Sequence, residues 1–341
     1  MKTVLITGVR GMDGSTLADK YLEKGWLVIG LDHWEPTASY PNLANAFRNK
    51  DFIWETGDIC EKEYMYRLFK KYEPDVVYNM AAISLVPESF KIPVRIMNVN
   101  TMSLLNMLEI IREHFPKTKI YQASSSEQIG SNTEENQNTD SKMLPTSPYA
   151  VAKLASYHFM RVYRQAYGIF AVNGMLWNHE GPRRGPNFVT RKITRQVAKI
   201  FHGSKIPLKL GNIDAYRDWG LSDDYCDAMI LMMEADKPDD YAVNTGEAHS
   251  VREFVEKAFH EIGRTLIWKG KGIDEKAYDQ NGNVVVEINE KYYRPTEVPY
   301  LHGDHSKIKE KLGWTPTTTF EDLVVAMVKN DVELEGKECQ K

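Results

Sequence analysis

Through the first half of the chain, short apolar runs rich in β-branched residues alternate with longer stretches whose apolar positions recur at helical spacing. Thr3 to Ile6, Leu27 to Leu31, Asp51 to Glu55, Val76 to Asn79 and Lys119 to Gln122 have the length and composition of strands, with helical patterns between most of them. Strands separated by helices are joined by parallel crossovers, so the pattern predicts an α/β chain built on a doubly wound sheet. The second half is less regular. Lys153 to Tyr167 reads as a long helix and Phe170 to Leu176 as a strand, followed by a loop of Gly, Pro and Arg from His179 to Phe188. Val189 to Phe201 reads as a cationic helix, and the polar stretch from about 270 to 293 is hairpin-like around Asn281-Gly282, a pair suited to tight two-residue turns. With no internal repeat and no low-complexity linker, the two parts are expected to interleave.

Composition narrows the function. A formal net charge of −4 over 341 residues gives no basic field, so nucleic acid and membrane surfaces are not expected partners. Phosphate groups would have to meet local cations. Cys60, Cys226 and Cys339 are odd in number and far apart, which argues against a disulfide framework and against a metal site. The N-terminus enters a strand-like segment directly, and no apolar run approaches the roughly 20 residues of a membrane span. A cytoplasmic protein is expected.

After the first strand, Gly8, Arg10, Gly11, Met12, Asp13 and Gly14 form a glycine-rich turn opening a helix. Glycines permit close backbone approach there, and the helix N-terminus directs N–H groups and positive dipole at a pyrophosphate. An ordinary strand-to-helix turn would look much the same. Asp32 ends the second strand about 20 residues beyond the loop, where an acid binds an adenosine ribose and repels a 2′-phosphate. That favours NAD over NADP, although a helix cap or loop acid would occupy the same place and Arg10 could still meet a phosphate. Asp58 and Ile59, after the third strand, suit an adenine ring or a plain strand exit.

The fifth strand ends in Ser124-Ser125-Ser126-Glu127, and Ser147-Pro148-Tyr149-Ala-Val-Ala-Lys153 follows about twenty residues later. On a helix the i, i+4 spacing sets Tyr149 and Lys153 on one face. A lysine ammonium beside a phenol lowers its pKa, so the tyrosinate can act as a base, and Ser125 can hold the same substrate hydroxyl. An exposed tyrosine and a solvated lysine would also give this spacing.

With the loop, the hydroxyl and the Tyr/Lys pair in this order, the chain resembles the extended short-chain dehydrogenases and, more narrowly, the GDP-mannose 4,6-dehydratase family. Nearly the whole length is covered. Specific stretches include Phe170-Ala-Val-Asn-Gly174, Asn178-His-Glu-Gly-Pro-Arg-Arg-Gly185, Asn187-Phe-Val-Thr-Arg-Lys192, Arg217-Asp-Trp-Gly220, His249-Ser-Val-Arg-Glu-Phe254 and Tyr292-Tyr-Arg-Pro-Thr-Glu-Val298. The resemblance implies a doubly wound parallel Rossmann sheet with a smaller interleaved α/β substrate domain. The sheet domain is expected over 1–173 plus about 219–246, and the nucleotide-sugar domain over about 174–218 and 247–341.

The same resemblance implies transient oxidation at C4 of GDP-mannose, loss of water across C5 and C6, and hydride return to C6. Ser125, Tyr149 and Lys153 would serve the first step, and Glu127 the proton transfers of the second. Ala81, Ala82, Ser84, Lys153, His179 and Arg184 would contact the cofactor, beside the glycine loop. Ser126, Asn178, Thr190, Lys192, Arg217 and Arg294 would hold the substrate, as a homodimer or homotetramer. The sequence departs from the family at Ser125, where a threonine is usual, at Ile83-Ser84-Leu85 beside the hexose, and from Asp32 to Tyr40, where a basic run is usual. Sugar identity, NADP preference and tetramer formation rest on those departures. Two other readings are a related GDP-manno-heptose substrate and a nucleotide-sugar reductase or epimerase. A third is a cofactor-binding regulator without turnover.

Overall fold

Strands buried on both faces must be apolar throughout, and the computed structural model of the chain follows that rule. It describes residues 1–33, 35, 40–293 and 300–339. In chain order the first strands are β1 (Thr3–Thr7), β2 (Leu27–Asp32), β3 (Phe52–Thr56), β4 (Val76–Asn79), β5 (Lys119–Ser125), β6 (Ala171–Leu176), β7 (Asn178–Glu180) and β8 (Leu208–Leu210). They continue with β9 (Tyr216–Leu221), β10 (Asp240–Val243), β11 (Ala248–Ser250), β12 (Ile267–Lys269), β13 (Lys276–Tyr278), β14 (Val284–Ile288) and β15 (Tyr300–Leu301).

Seven of them form a parallel sheet in the order β10-β6-β5-β4-β1-β2-β3. Side chains alternate between its faces. Val4, Ile6, Val28 and Tyr78 join one buried cluster with the helices Met12–Glu23 and Ser222–Glu234, and Leu5, Ile29, Leu31 and Val77 join another with Lys62–Tyr72 and Ser103–His114. The strand order reverses between β1 and β4, which opens a crevice at the carboxyl ends of the strands.

Beyond β6 a third cluster forms. Ile193 and Val197 of the helix Val189–Phe201, Phe254 and Ala258 of Val251–His260, and Leu323 and Met327 of Phe320–Cys339 pack together over the sheet β12-β13-β14-β8. The expected hairpin is β13–β14, antiparallel, with Gly282 at φ +81° and Asp279 accepting hydrogen bonds from the Asn281 and Asn283 N–H groups. A further sheet, β11-β9-β15 with β7 beside β9, lies between these two bodies. Among the described residues no helix is long and apolar enough to cross a membrane.

Two boundaries moved by more than one residue. β5 continues to Ser125, because Ser124 and Ser125 stay in register with Met175 and Leu176 of β6 although their side chains are polar. The long helix begins at Pro148, where Ser147 Oγ accepts a hydrogen bond from the Ala150 N–H at 3.1 Å and proline occupies the first turn.

Candidate active site

The glycine loop is shaped by close backbone approach. Gly8 has φ +67°, and a Cβ on Gly14 would stand 2.5 Å from the Gly8 carbonyl oxygen, so a larger residue would push the helix off the loop. Gly11 caps the helix Met12–Glu23 without a side-chain hydrogen bond. Its first-turn N–H groups, which lack intrahelical acceptors, are left for an anion. This cradle fits the diphosphate of a dinucleotide.

Asp32 closes one side of the loop. Its Oδ2 accepts from the Arg10 N–H at 3.1 Å and its Oδ1 from the His33 N–H at 2.9 Å. The Arg10 guanidinium, which the sequence left open as a phosphate ligand, is instead taken up by carboxylates: it lies 3.1 Å from Asp32 and 2.7 Å from Glu35, beside the Tyr40 ring. Trp34 and residues 36–39 of this segment lie outside the described residues. Asp58, Ile59, Ala81, Ala82 and Ser84 line the same crevice. Ile83 is pinned by Asn100, which accepts from its N–H at 2.9 Å and donates to its carbonyl at 3.1 Å.

Asp13 turns inward. Its carboxylate meets His179 Nε2 at 2.8 Å and accepts from Ser222 Oγ at 2.7 Å. Burial pushes this carboxyl up, but the His179 and Ser222 contacts outweigh burial and hold it below its ordinary value. With His179 Nδ1 at 2.8 Å from the Trp177 carbonyl, both ring nitrogens are occupied by protein groups. Asp13 and His179 therefore brace one another across the crevice that both of them line.

Ser125, Glu127, Tyr149 and Lys153 converge at the end of β5. The Tyr149 phenol shares a hydrogen bond with Ser125, and burial pushes its pKa up to about 12 despite that bond. Lys153 Nζ donates to the Ala123 carbonyl at 2.7 Å and stands 5.8 Å from the Tyr149 ring centroid, its own pKa pushed down to about 8 by burial. The sequence predicts that the ammonium lowers the phenol. Here burial wins at both groups, and Ser125 is the larger of the two influences favouring the phenolate, ahead of the Arg184 charge.

The opposite wall comes from β7, β9 and the loop between β7 and the helix Val189–Phe201. Asn178, His179, Arg184, Lys192 and Arg217 all line the crevice, as does Ser126 from the β5 end. Lys192 Nζ sits 3.2 Å from the Tyr292 ring centroid, with its pKa lowered to about 8 by burial and by Lys291. Thr190 is not among the lining residues. It is fully buried on the inward face of its helix, and its Oγ1 donates to Glu180 Oε2 at 2.7 Å. Arg294 lies outside the described residues. Sequence reasoning missed Glu180, Phe188, Asn42 and Tyr292, although Glu180 stands inside a quoted stretch, four residues before Arg184. Asn42 Nδ2 lies 3.1 Å from both the Arg10 and the Arg183 carbonyls, tying the two loops together.

The crevice measures about 1770 Å³, well above the roughly 300–1,000 Å³ of a pocket for one small ligand. That is more than one such ligand fills. Fold and site together define an extended short-chain dehydrogenase. Residues 5–327 match the model of the family described as GDP-mannose 4,6 dehydratase. The chain belongs to that family. It is 43% identical over 339 residues to the GDP-mannose 4,6 dehydratase of Homo sapiens, covering 97% of this chain and 91% of that one. With the Vibrio cholerae GDP-mannose 4,6-dehydratase it shares 41% identity over 351 residues, covering 98% and 94%. Among solved structures, the fold is that of Thermotoga maritima UDP-glucose 4-epimerase with UDP-glucose, at TM-score 0.82, 23% identity and 99% and 100% coverage. Bacillus anthracis dTDP-glucose 4,6-dehydratase in complex with NAD superposes at TM-score 0.82, with 20% identity and 98% coverage of each chain.

Proposed function

We propose that the protein is a nucleotide-sugar 4,6-dehydratase that converts GDP-mannose to GDP-4-keto-6-deoxymannose. The observation that carries this reading is Glu127 at the end of β5, next to the Ser125–Tyr149 pair and inside the crevice. An epimerase or reductase needs no second acid/base at that place. Family membership points the same way.

The glycine loop would hold the cofactor diphosphate, Asp32 the adenosine ribose, and Asp58 and Ile59 the adenine edge. When bound, a nicotinamide dinucleotide accepts hydride from C4 and returns it at C6, and its oxidised ring adds positive charge that favours the Tyr149 phenolate. Ser125 Oγ holds the C4 hydroxyl while Tyr149 Oη takes its proton. The resulting 4-keto group acidifies C5–H. Glu127 takes that proton and delivers it to the C6 hydroxyl, which leaves as water. The proton held on Tyr149 replaces the one lost from C5, so both residues end as they began.

Lys192 and Arg217 supply local positive charge for the GDP diphosphate on an otherwise acidic chain, with Asn178 and Ser126 nearer the sugar. Arg294 belongs to the same proposed set. The sheet domain, 1–173 with about 219–246, would serve the cofactor, and about 174–218 with 247–341 the nucleotide sugar. NAD is favoured, because Asp32 and Glu35 already engage Arg10 and add negative charge where a 2′-phosphate would lie. A homo-oligomer is supported by Val151 and Val162, which face outward from the helix Pro148–Tyr167.

The test is incubation of the protein with GDP-mannose and catalytic NAD, followed by mass spectrometry. A product lighter by one water, without accumulation of reduced cofactor, is expected. Net cofactor reduction, or inversion without loss of mass, would replace this reading with the reductase or epimerase.

A further inference from the structure

The end of β7 holds a buried carboxylate that the reaction above does not use. Glu180 is 2% exposed, yet it borders the crevice. Its Oε2 accepts the Thr190 Oγ1 hydrogen bond at 2.7 Å and lies 2.9 Å from Arg184 Nε. On its other side the Arg184 guanidinium stacks on Phe188, 3.5 Å from the ring centroid. The Arg184 carbonyl in turn accepts from Arg191 Nη1 at 3.0 Å. Carboxylate and ring thus hold the Arg184 cation from two sides, while Arg191 ties down its backbone. A carboxylate out of water is retained at a high cost unless paired, and here the pairing partner faces the reacting end of the crevice. Arg184 is close enough to act electrostatically on Tyr149, Asp13 and His179.

We propose that Glu180, backed by Thr190, is a positioning residue that fixes the Arg184 guanidinium against Phe188 and toward Tyr149. The proposal rests on the dehydratase reading, since a charge set there matters to a reaction that forms the Tyr149 phenolate. The charged groups around that phenol are Glu127 from the β5 end, Lys153 on its own helix, and Arg184. Glu127 opposes the phenolate and Lys153 is drawn away to the Ala123 carbonyl. Arg184 is the cation that Glu180 controls. An amide at position 180 would keep the Thr190 hydrogen bond but lose the ion pair with the guanidinium.

A double-mutant cycle tests this. Glu180→Gln, Arg184→Gln and the double variant are compared in kcat and KM for GDP-mannose across pH, with Thr190→Val alongside. Glu180→Gln is expected to lower kcat by about tenfold to 10²-fold with KM little changed, and to move the rise of kcat/KM to higher pH. Thr190→Val should lose less in the same direction. Added to Arg184→Gln, the Glu180 change should cost less than about twofold, because its partner is already gone. Equal losses in both backgrounds would overturn the proposal and leave Glu180 a purely structural residue. If the unmodified protein leaves GDP-mannose untouched, the dehydratase reading falls by itself. Crystal structures of the protein and Glu180→Gln then decide the positioning: a guanidinium displaced from Phe188 supports it, and one that stays overturns it.

Discussion

At the scale of single residues, the reacting groups come from two adjacent elements with different tasks. Ser125 is still in β5, and its Oγ accepts the Glu127 N–H at 3.3 Å, so the strand end turns into the short 3-10 segment that carries Glu127. The Tyr149 and Lys153 pair was legible from spacing alone. Its electrostatics were not, because desolvation depends on what packs over the pair, and burial sends the phenol up to about 12 and the ammonium down to about 8. Glu127→Gln keeps the shape and removes the proton acceptor for C5. Loss of water should fall by about 10²–10⁴, while absorbance of reduced cofactor appears on mixing with GDP-mannose. Product formation at an unchanged rate would take Glu127 out of the mechanism.

At the scale of elements, the site depends on ties between pieces distant in sequence. His179 of β7 and Asp13 of the helix Met12–Glu23 are 166 residues apart, and their contact joins the cradle to the opposite wall. Burial alone would push the His179 pKa down, but Asp13 raises it above its ordinary value. The histidine contribution to stability is therefore full below the unfolded value of about 6.5 and lost as pH rises through the raised folded value. The lowered Asp13 gives its contribution above about 3.9 and loses it as pH falls through the folded value. The tie is strongest between those limits. His179→Ala leaves the part-buried Asp13 carboxylate with Ser222 alone and should cost about 3 kcal/mol. Thermal unfolding should show a larger deficit near pH 6 than near pH 9, and a deficit independent of pH would mean that the pair is not ionic. The resemblance read in the sequence placed Asn178, His179, Arg184, Thr190 and Lys192 at the site, Thr190 as a substrate ligand. The helix rotation that turns Thr190 inward to Glu180 was beyond its reach.

At the scale of the whole molecule, the crevice exists because the sheet reverses its order between β1 and β4 and a second body packs across the opening. A cofactor seated there binds only the folded chain, so it should raise thermal stability by about 2.7 kcal/mol at a hundred times its dissociation constant. NAD is expected to shift the melting temperature at lower concentration than NADP, and Asp32→Ala should narrow the gap. An unchanged preference would show that Asp32 serves only the Arg10 backbone. Alternation of apolar runs determined the parallel sheet, glycine spacing the loop, and residue type and spacing the order of the reacting groups, because periodicity and turn chemistry are local properties. Tertiary structure alone decided how the candidate side chains are partnered. It gave Arg10 to Asp32 and Glu35, Thr190 to Glu180, and His179 to Asp13, since pairing and desolvation depend on neighbours that only folding brings together.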